Sequence, residues 1–185
     1  MFNAAPPVTI ETDRLILRQP DLSDFEPLCT LMGDAETARF IGGVQEPALV
    51  WRNLCGIVGH WALRGYGFFS VIEKASGQWL GRVGPWHPHG WPQPEVGWSL
   101  TRASWGKGYA SEAAMACMDH VFNTLGWADT VHLIHPDNTP SQRVAARLGS
   151  RNLGREWVVP GFNMTVELWG QSAADWRDRT PATHN

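Results

Sequence analysis

The residues whose types and spacing bear most directly on chemistry are Trp105-Gly106-Lys107-Gly108-Tyr109-Ala110, between a β-type run ending near Leu100 and the clearest helical pattern in the chain. A helix N-terminus presents unpaired N–H groups and a partial positive charge, which together bind phosphate oxygens. Glycines let an anion approach the backbone without side-chain obstruction. The chemistry implied is binding of a phosphate-containing ligand; the alternative is a glycine-rich tight turn that binds nothing. Two other phosphate loops do not fit. A Walker A loop needs Ser or Thr after its lysine, where Gly108 stands. A dinucleotide fingerprint needs glycine or alanine three residues beyond Gly108, where Ser111 stands, and a repeated parallel βαβ series that this chain lacks. His87 and His89 have a spacing that suggests a metal, but no carboxylate or third histidine follows at ligand spacing, and His132 and His135 fall on a separate strand. No metal is expected.

The elements that must position this loop follow from hydrophobic periodicity. Val8–Arg18 reads as a first strand, with Leu15 and Leu17 alternating against Arg14, Ile16 and Arg18. Asp21, with Asp24 three residues on, caps a helix that carries Leu22, Phe25, Leu28, Cys29 and Met32 on one face and ends at Gly33. A second helix runs from Ala48 to Arg64 and stops at Gly65. Gly67–Glu73 and Trp79–Trp86 form a hairpin around Ala75-Ser76-Gly77-Gln78, and Glu95–Leu100 is a third strand after a proline-rich loop. The helix after the loop spans Gly108 to Leu125, with Ala110, Ala113, Ala114, Cys117 and Val121 at helical spacing. A strand at Thr130–His135, a helix from Asn138 to Leu148, and two strands around Arg155–Val159 and Asn163–Trp169 complete the order. This mixture implies an α/β domain around a mixed sheet over residues 1–171, with a polar tail over 172–185 that frays.

Composition narrows the function classes. A net charge of −3 with scattered basic residues gives no electrostatic reason to expect nucleic acid or an anionic membrane as partner. The eleven tryptophans are unusual; Trp86, Trp91, Trp98 and Trp105 crowd one stretch, where they either wall a pocket or fill a core. Three cysteines without a CxxC pair fit a reducing compartment. The start lacks a secretory pattern, and no apolar run approaches the about 20 residues of a membrane span, so the expected location is cytoplasmic.

Four motifs, TDRLILR, EVGWSL, WGKGYASEA and HPDNTPSQRVAARLG, make nearly the whole chain resemble the GNAT superfamily of acetyl-CoA-dependent N-acetyltransferases, and within it the RimJ/RimL branch of ribosomal-protein N-terminal acetyltransferases. The resemblance implies a central, mostly antiparallel mixed sheet with helices on both faces, acetyl-CoA as cosubstrate, and a monomer or homodimer. It implies that the loop Trp105–Ala110 holds the pyrophosphate, with Gly108 and Ala110 matching the family pattern and Trp105 in a slot usually held by Gln or Arg. It assigns the backbone of Trp98, Ser99 and Leu100 to the pantetheine arm and the thioester carbonyl. Asn138 and Ser141 match the pattern that contacts pantetheine and reaches the sulfur. Ala145 stands where many relatives carry a tyrosine acid.

Amine attack on a thioester needs a neutral amine, a stabilised oxyanion and an acid for the thiolate. Ser141 is the candidate acid. Glu95, on the strand assigned to the thioester, is the first candidate base; alternatively it orders the sheet or attracts a cationic amine. His87, His89, Glu156 and Glu167 are rivals. The expected reaction is direct acetyl transfer to a primary amine, either a protein N-terminus or a small molecule. The reading from another class is a non-catalytic acyl-CoA-binding module that lost its acid, to which Ala145 lends support.

Overall fold

The structure is a computed structural model that describes residues 7–162 and 164–179. The chain begins with two short antiparallel strands, β1 (Thr9–Glu11) and β2 (Leu15–Arg18), where one strand was expected. Thr12 makes the break. Its N–H donates to the Leu15 carbonyl and its hydroxyl accepts from Leu15 N–H, both at 3.0 Å, a local turn that competes with extension.

Asp21 and Asp24 form the expected capping box, but on a single 3₁₀ turn, Leu22–Asp24, that leads into α1 (Phe25–Gly33). That turn lifts Leu22 off the apolar face, and it is 68% exposed. Asp34 then caps α2 (Ala35–Ala38), a turn the sequence pattern did not suggest. α3 (Pro47–Arg64) stops at Gly65, which takes the left-handed conformation a helix stop favours.

β3 (Phe69–Glu73), β4 (Trp79–Trp86) and β5 (Glu95–Leu100) follow, then α4 (Tyr109–Asn123), β6 (Asp129–Ile134), α5 (Thr139–Arg147), β7 (Arg151–Val159) and β8 (Met164–Ser172). Among the described residues, eight strands lie in the order β1-β2-β3-β4-β5-β6-β8-β7. Every neighbouring pair is antiparallel except β5–β6, which is parallel and bridged by α4. The mixed, mostly antiparallel sheet is the expected one.

Its two faces are distinguished by alternation along the strands. Ser70 and Arg82, opposite one another on β3 and β4, turn toward α1 and α3: Ser70 Oγ donates to Asp24 Oδ2 at 2.7 Å and Arg82 Nη1 to Asn53 Oδ1 at 3.0 Å. Val71 and Val83 turn the other way, into the core with Ala113, Ala114, Cys117 and Met118 of α4.

Of the polar tail expected to fray over 172–185, residues 172–179 are described and are packed, and residues 180–185 lie outside the described residues. Ser172 and Asp175 form a capping box that opens α6 (Ala173–Asp178), and Trp176, 1% exposed, joins the main core and donates from Nε1 to Asp119 Oδ1 at 2.9 Å. Among the described residues no helix is long and apolar enough to cross a membrane.

Candidate active site

β5 pairs with β4 along its whole length but meets β6 only at Glu95 opposite Val131, so the two parallel strands fork beyond that point. Pro94 and Val96 turn their carbonyls toward β6: Pro94 O accepts from Val131 N–H at 2.9 Å, and Val96 O lies 2.7 Å from His132 Nδ1. The two-residue period of a strand then turns the backbone of Trp98 and Leu100 into the fork and that of Ser99 toward β4. The Leu100 carbonyl is taken by Trp105 Nε1 at 2.9 Å. What the fork offers is the N–H and C=O of Trp98 and the N–H of Leu100. Ser99, expected to join them, instead pairs with Arg82 and accepts from Arg82 Nε at 3.1 Å on its hydroxyl.

His132 is the wedge. It is 1% exposed, with Nε2 at 2.9 Å from Ser150 Oγ, which itself accepts from Gln171 Nε2 at 2.8 Å. Burial pushes the imidazole down to about 4, so it is neutral near pH 7, donating from Nδ1 to Val96 and accepting at Nε2. No sequence signal marked this residue beyond its place in a strand.

At the far end of β5 the loop carries Gly106 at φ 74° and Gly108 at φ 82°, left-handed conformations that glycine adopts without strain. Gly108 is the N-cap of α4 and supplies no side chain to the first-turn N–H groups, which therefore stay available to an anion. Trp105, in the slot the resemblance gives to Gln or Arg, ties the loop to β5 through its indole. Lys107 is exposed, and its carbonyl accepts from Arg14 Nη1 at 3.0 Å. The Tyr109 ring is buried, with its hydroxyl donating to Glu73 Oε1 and the Arg14 guanidinium 4.6 Å above the ring; only its backbone can serve a ligand. Arg14 also pairs with Glu112, as does Thr12. Burial pushes the Glu112 carboxyl up, but hydrogen bonds from Thr12 and Arg14 outweigh it and hold it below its usual range.

α5 brings the second helix N-terminus to the fork. Asn138 is its N-cap, accepting from Ser141 N–H at 3.2 Å, and Ser141 Oγ accepts from Trp98 Nε1 at 3.2 Å. The Trp98 ring also packs on His132, with centroids 4.8 Å apart. Ala145, one turn on, is fully buried, so the place of the absent tyrosine is closed by packing.

Glu95 lies at the base of the fork, 8% exposed. Its Oε2 accepts from Trp91 Nε1 at 2.6 Å and its Oε1 faces Leu133 N–H at 3.4 Å. Burial raises its pKa from 4.5 to about 7, against the smaller downward pulls of those two N–H groups and of Arg82. The rivals stand apart from this arrangement. His89 is exposed on the β4–β5 loop, and burial together with Arg64 and His60 lowers the His87 pKa. Glu156 and Glu167 oppose each other across β7 and β8, on the sheet face away from Trp157. Cys117 is fully buried and its thiol pushed well up, which removes it as an acyl carrier. Among the described residues no group of three or more His, Cys, Asp or Glu side chains could hold a metal ion.

The family model for the acetyltransferase (GNAT) domain matches residues 14–151. YkkB, an uncharacterized protein of Bacillus subtilis, is 33% identical over 173 residues, covering 88% of this chain and 91% of its own. Among solved structures, an acetyltransferase from Agrobacterium tumefaciens superimposes with a TM-score of 0.79 at 27% identity, covering 92% of this chain and 96% of that one. RimL, a ribosomal L7/L12 α-N-protein acetyltransferase, superimposes with a TM-score of 0.73 at 17% identity over 90% of this chain and 94% of its own, a likeness of fold. A match that takes in the Arg14 turn, the forked strand, the glycine loop and Ser141 together makes this chain an enzyme of the GNAT family of N-acetyltransferases.

Proposed function

We propose that the chain moves an acetyl group from acetyl-CoA to a primary amine, a protein N-terminus or a small molecule, by direct attack in a ternary complex. The observation that carries this reading is the buried Glu95 carboxyl, raised to about 7 at the base of the fork. A base poised near the working pH is about half carboxylate there and can accept the proton of the attacking amine.

The residues at the fork fit acetyl-CoA. The first-turn N–H groups of α4 and the glycine backbone at 106 and 108 suit a pyrophosphate, and the strand edge of Trp98 and Leu100 suits an amide-bearing arm. Acetyl-CoA supplies the acetyl thioester. As the C–N bond forms and the C–S bond breaks, Glu95 takes the proton of the amine, and the Ser141 hydroxyl passes one to sulfur while regaining one from solvent, so that CoA leaves as the thiol. Because Ser141 Oγ accepts from the Trp98 indole, its own O–H remains free to donate. The N-terminus of α5 adds a positive potential that favours a departing thiolate. The burial of Cys117 supports direct transfer over a covalent acetyl-enzyme.

Glu95→Gln tests the reading. Thiol release that depends on added amine should fall about 10²-fold or more in kcat/KM, and the acidic limb near pH 7 should vanish. A variant with near-normal kcat/KM and the same pH profile would remove Glu95 as base. No thiol release with any amine tried would favour the acyl-CoA-binding module instead, and release in the wild type without any amine would overturn direct transfer to an amine.

A further inference from the structure

The reading of Glu95 as base leaves the acceptor open, and the sheet face on which its carboxyl lies has a specific chemistry. Gly97, two residues along β5, forms the floor. A Cβ built there would lie 3.2 Å from Glu95 Oε1 and 3.1 Å from Phe68 Cζ, so the lack of a side chain keeps a space between a carboxylate oxygen and a ring edge. The surrounding wall is aromatic. Trp91 donates to Glu95 and meets Trp157 edge-on at 5.0 Å, and Phe68 packs on Trp86 at 5.3 Å. All four rings, and Gly97 itself, are only half-buried, so they remain accessible.

Three features of this face select among amines. Gly97 sits opposite Gly84 on β4, and the strand period spends its backbone N–H and C=O on that pairing, which leaves no row of backbone partners for an extended peptide. Glu95 is the carboxylate at this floor, and the Arg82 guanidinium acts on it as a neighbouring positive charge, which opposes a polycation such as a polyamine or an aminoglycoside. Aromatic edges and faces favour a flat ring and hold an ammonium by cation–π attraction before it is deprotonated.

We propose, resting on the function argued above, that the acceptor is a small primary amine carried on an aromatic body, docked over Gly97 between Phe68 and Trp91. This gives Trp91 a role in recognition, while Trp86 packs on the main core and stacks on His60 with centroids 4.3 Å apart.

The test is amine-dependent thiol release by the full chain with 2-phenylethylamine, n-butylamine, spermidine and an alanine-ended peptide. The expected order places 2-phenylethylamine above n-butylamine by about tenfold in kcat/KM, the size of one good aromatic contact. Gly97→Ala, whose methyl would press on Phe68 Cζ at 3.1 Å and Glu95 Oε1 at 3.2 Å, should raise the KM for 2-phenylethylamine while acetyl-CoA still raises the melting temperature. Phe68→Leu, which removes the ring edge that meets Gly97, should erase the tenfold preference. Spermidine or the peptide as the best acceptor, or a preference that survives both variants, overturns the aromatic acceptor and leaves the transferase reading standing. Silence with every amine overturns both.

Discussion

Arg14, in the turn between β1 and β2, closes on Glu112 in the first turn of α4, with Nε and Nη2 both 2.6 Å from Oε2. Its Nη1 reaches the Lys107 carbonyl at 3.0 Å, and its backbone N–H and the Thr12 hydroxyl share Glu112 Oε1 at 3.0 and 2.6 Å. The TDRLILR motif and the glycine-loop motif, 98 residues apart at this contact, are therefore one structure. The edge of the sheet holds the loop at the angle in which the α4 N–H groups face outward.

If that contact positions the loop, Arg14→Ala should raise the acetyl-CoA KM while the amine KM stays near wild type. The pair is partly exposed, so its coupling is expected at about 1 kcal/mol, or roughly fivefold in KM. Glu112→Gln should give the same split, and the double variant should cost less than the sum of the two. A fall in melting temperature with both KM values unmoved would make the contact purely structural.

The loop itself is tested at Gly106, where φ is 74° and a Cβ would meet nothing within 4 Å. Asn and Asp both tolerate the left-handed conformation, so the pair isolates charge from shape. Gly106→Asn should keep most of the rise in melting temperature that acetyl-CoA produces by mass action, and Gly106→Asp should remove it. Equal shifts in the two variants would mean that no phosphate lies over the loop.

What could be read from the sequence was what acts within a few residues. Asp21 and Asp24, Gly65, and Asn138 with Ser141 declare helix ends through bonds to near neighbours, and the apolar spacing of Ala113, Cys117 and Val121 declares the buried side of α4. What was missed depends on distant partners. Trp176 turns a polar tail into α6 because Asp119, 57 residues away, receives its indole N–H. His132 holds the fork open only in combination with Val96, Ser150 and Gln171, from three separate segments. Glu95 was marked by its place in EVGWSL, but its shifted titration comes from burial, which the N–H groups of Trp91 and Leu133 only partly offset, and no local pattern displays that burial.

Ser141 and Trp98 give a paired prediction. Ser141→Ala removes the proposed acid and should lower kcat by about 10²-fold with little change in acetyl-CoA affinity. Trp98→Phe keeps the ring against His132 but deletes the N–H that points at Ser141 Oγ, and should lower kcat by a smaller factor. A loss confined to KM in either variant would assign the pair to holding the cosubstrate rather than to protonating the thiolate.

The last prediction uses Glu95 as a stability probe. Its folded-state pKa, about 7, lies above its ordinary 4.5, so the folded state binds the extra proton. The stability it contributes is complete below pH 4.5 and is lost as pH rises through 7, by about 3 kcal/mol at most. His132 works in the opposite sense: its folded-state pKa, about 4, lies below 6.5, so its contribution is present above pH 6.5 and lost as pH falls toward 4. In the wild type the two slopes oppose each other between pH 4.5 and 6.5, and a single denaturation curve would show little. The difference between wild type and Glu95→Gln cancels the histidine. Urea midpoints measured from pH 4 to 8 should therefore diverge with rising pH, the Gln variant becoming the more stable protein while losing its activity. A constant difference across that range would mean that Glu95 titrates normally, and would withdraw the physical basis for its role as base.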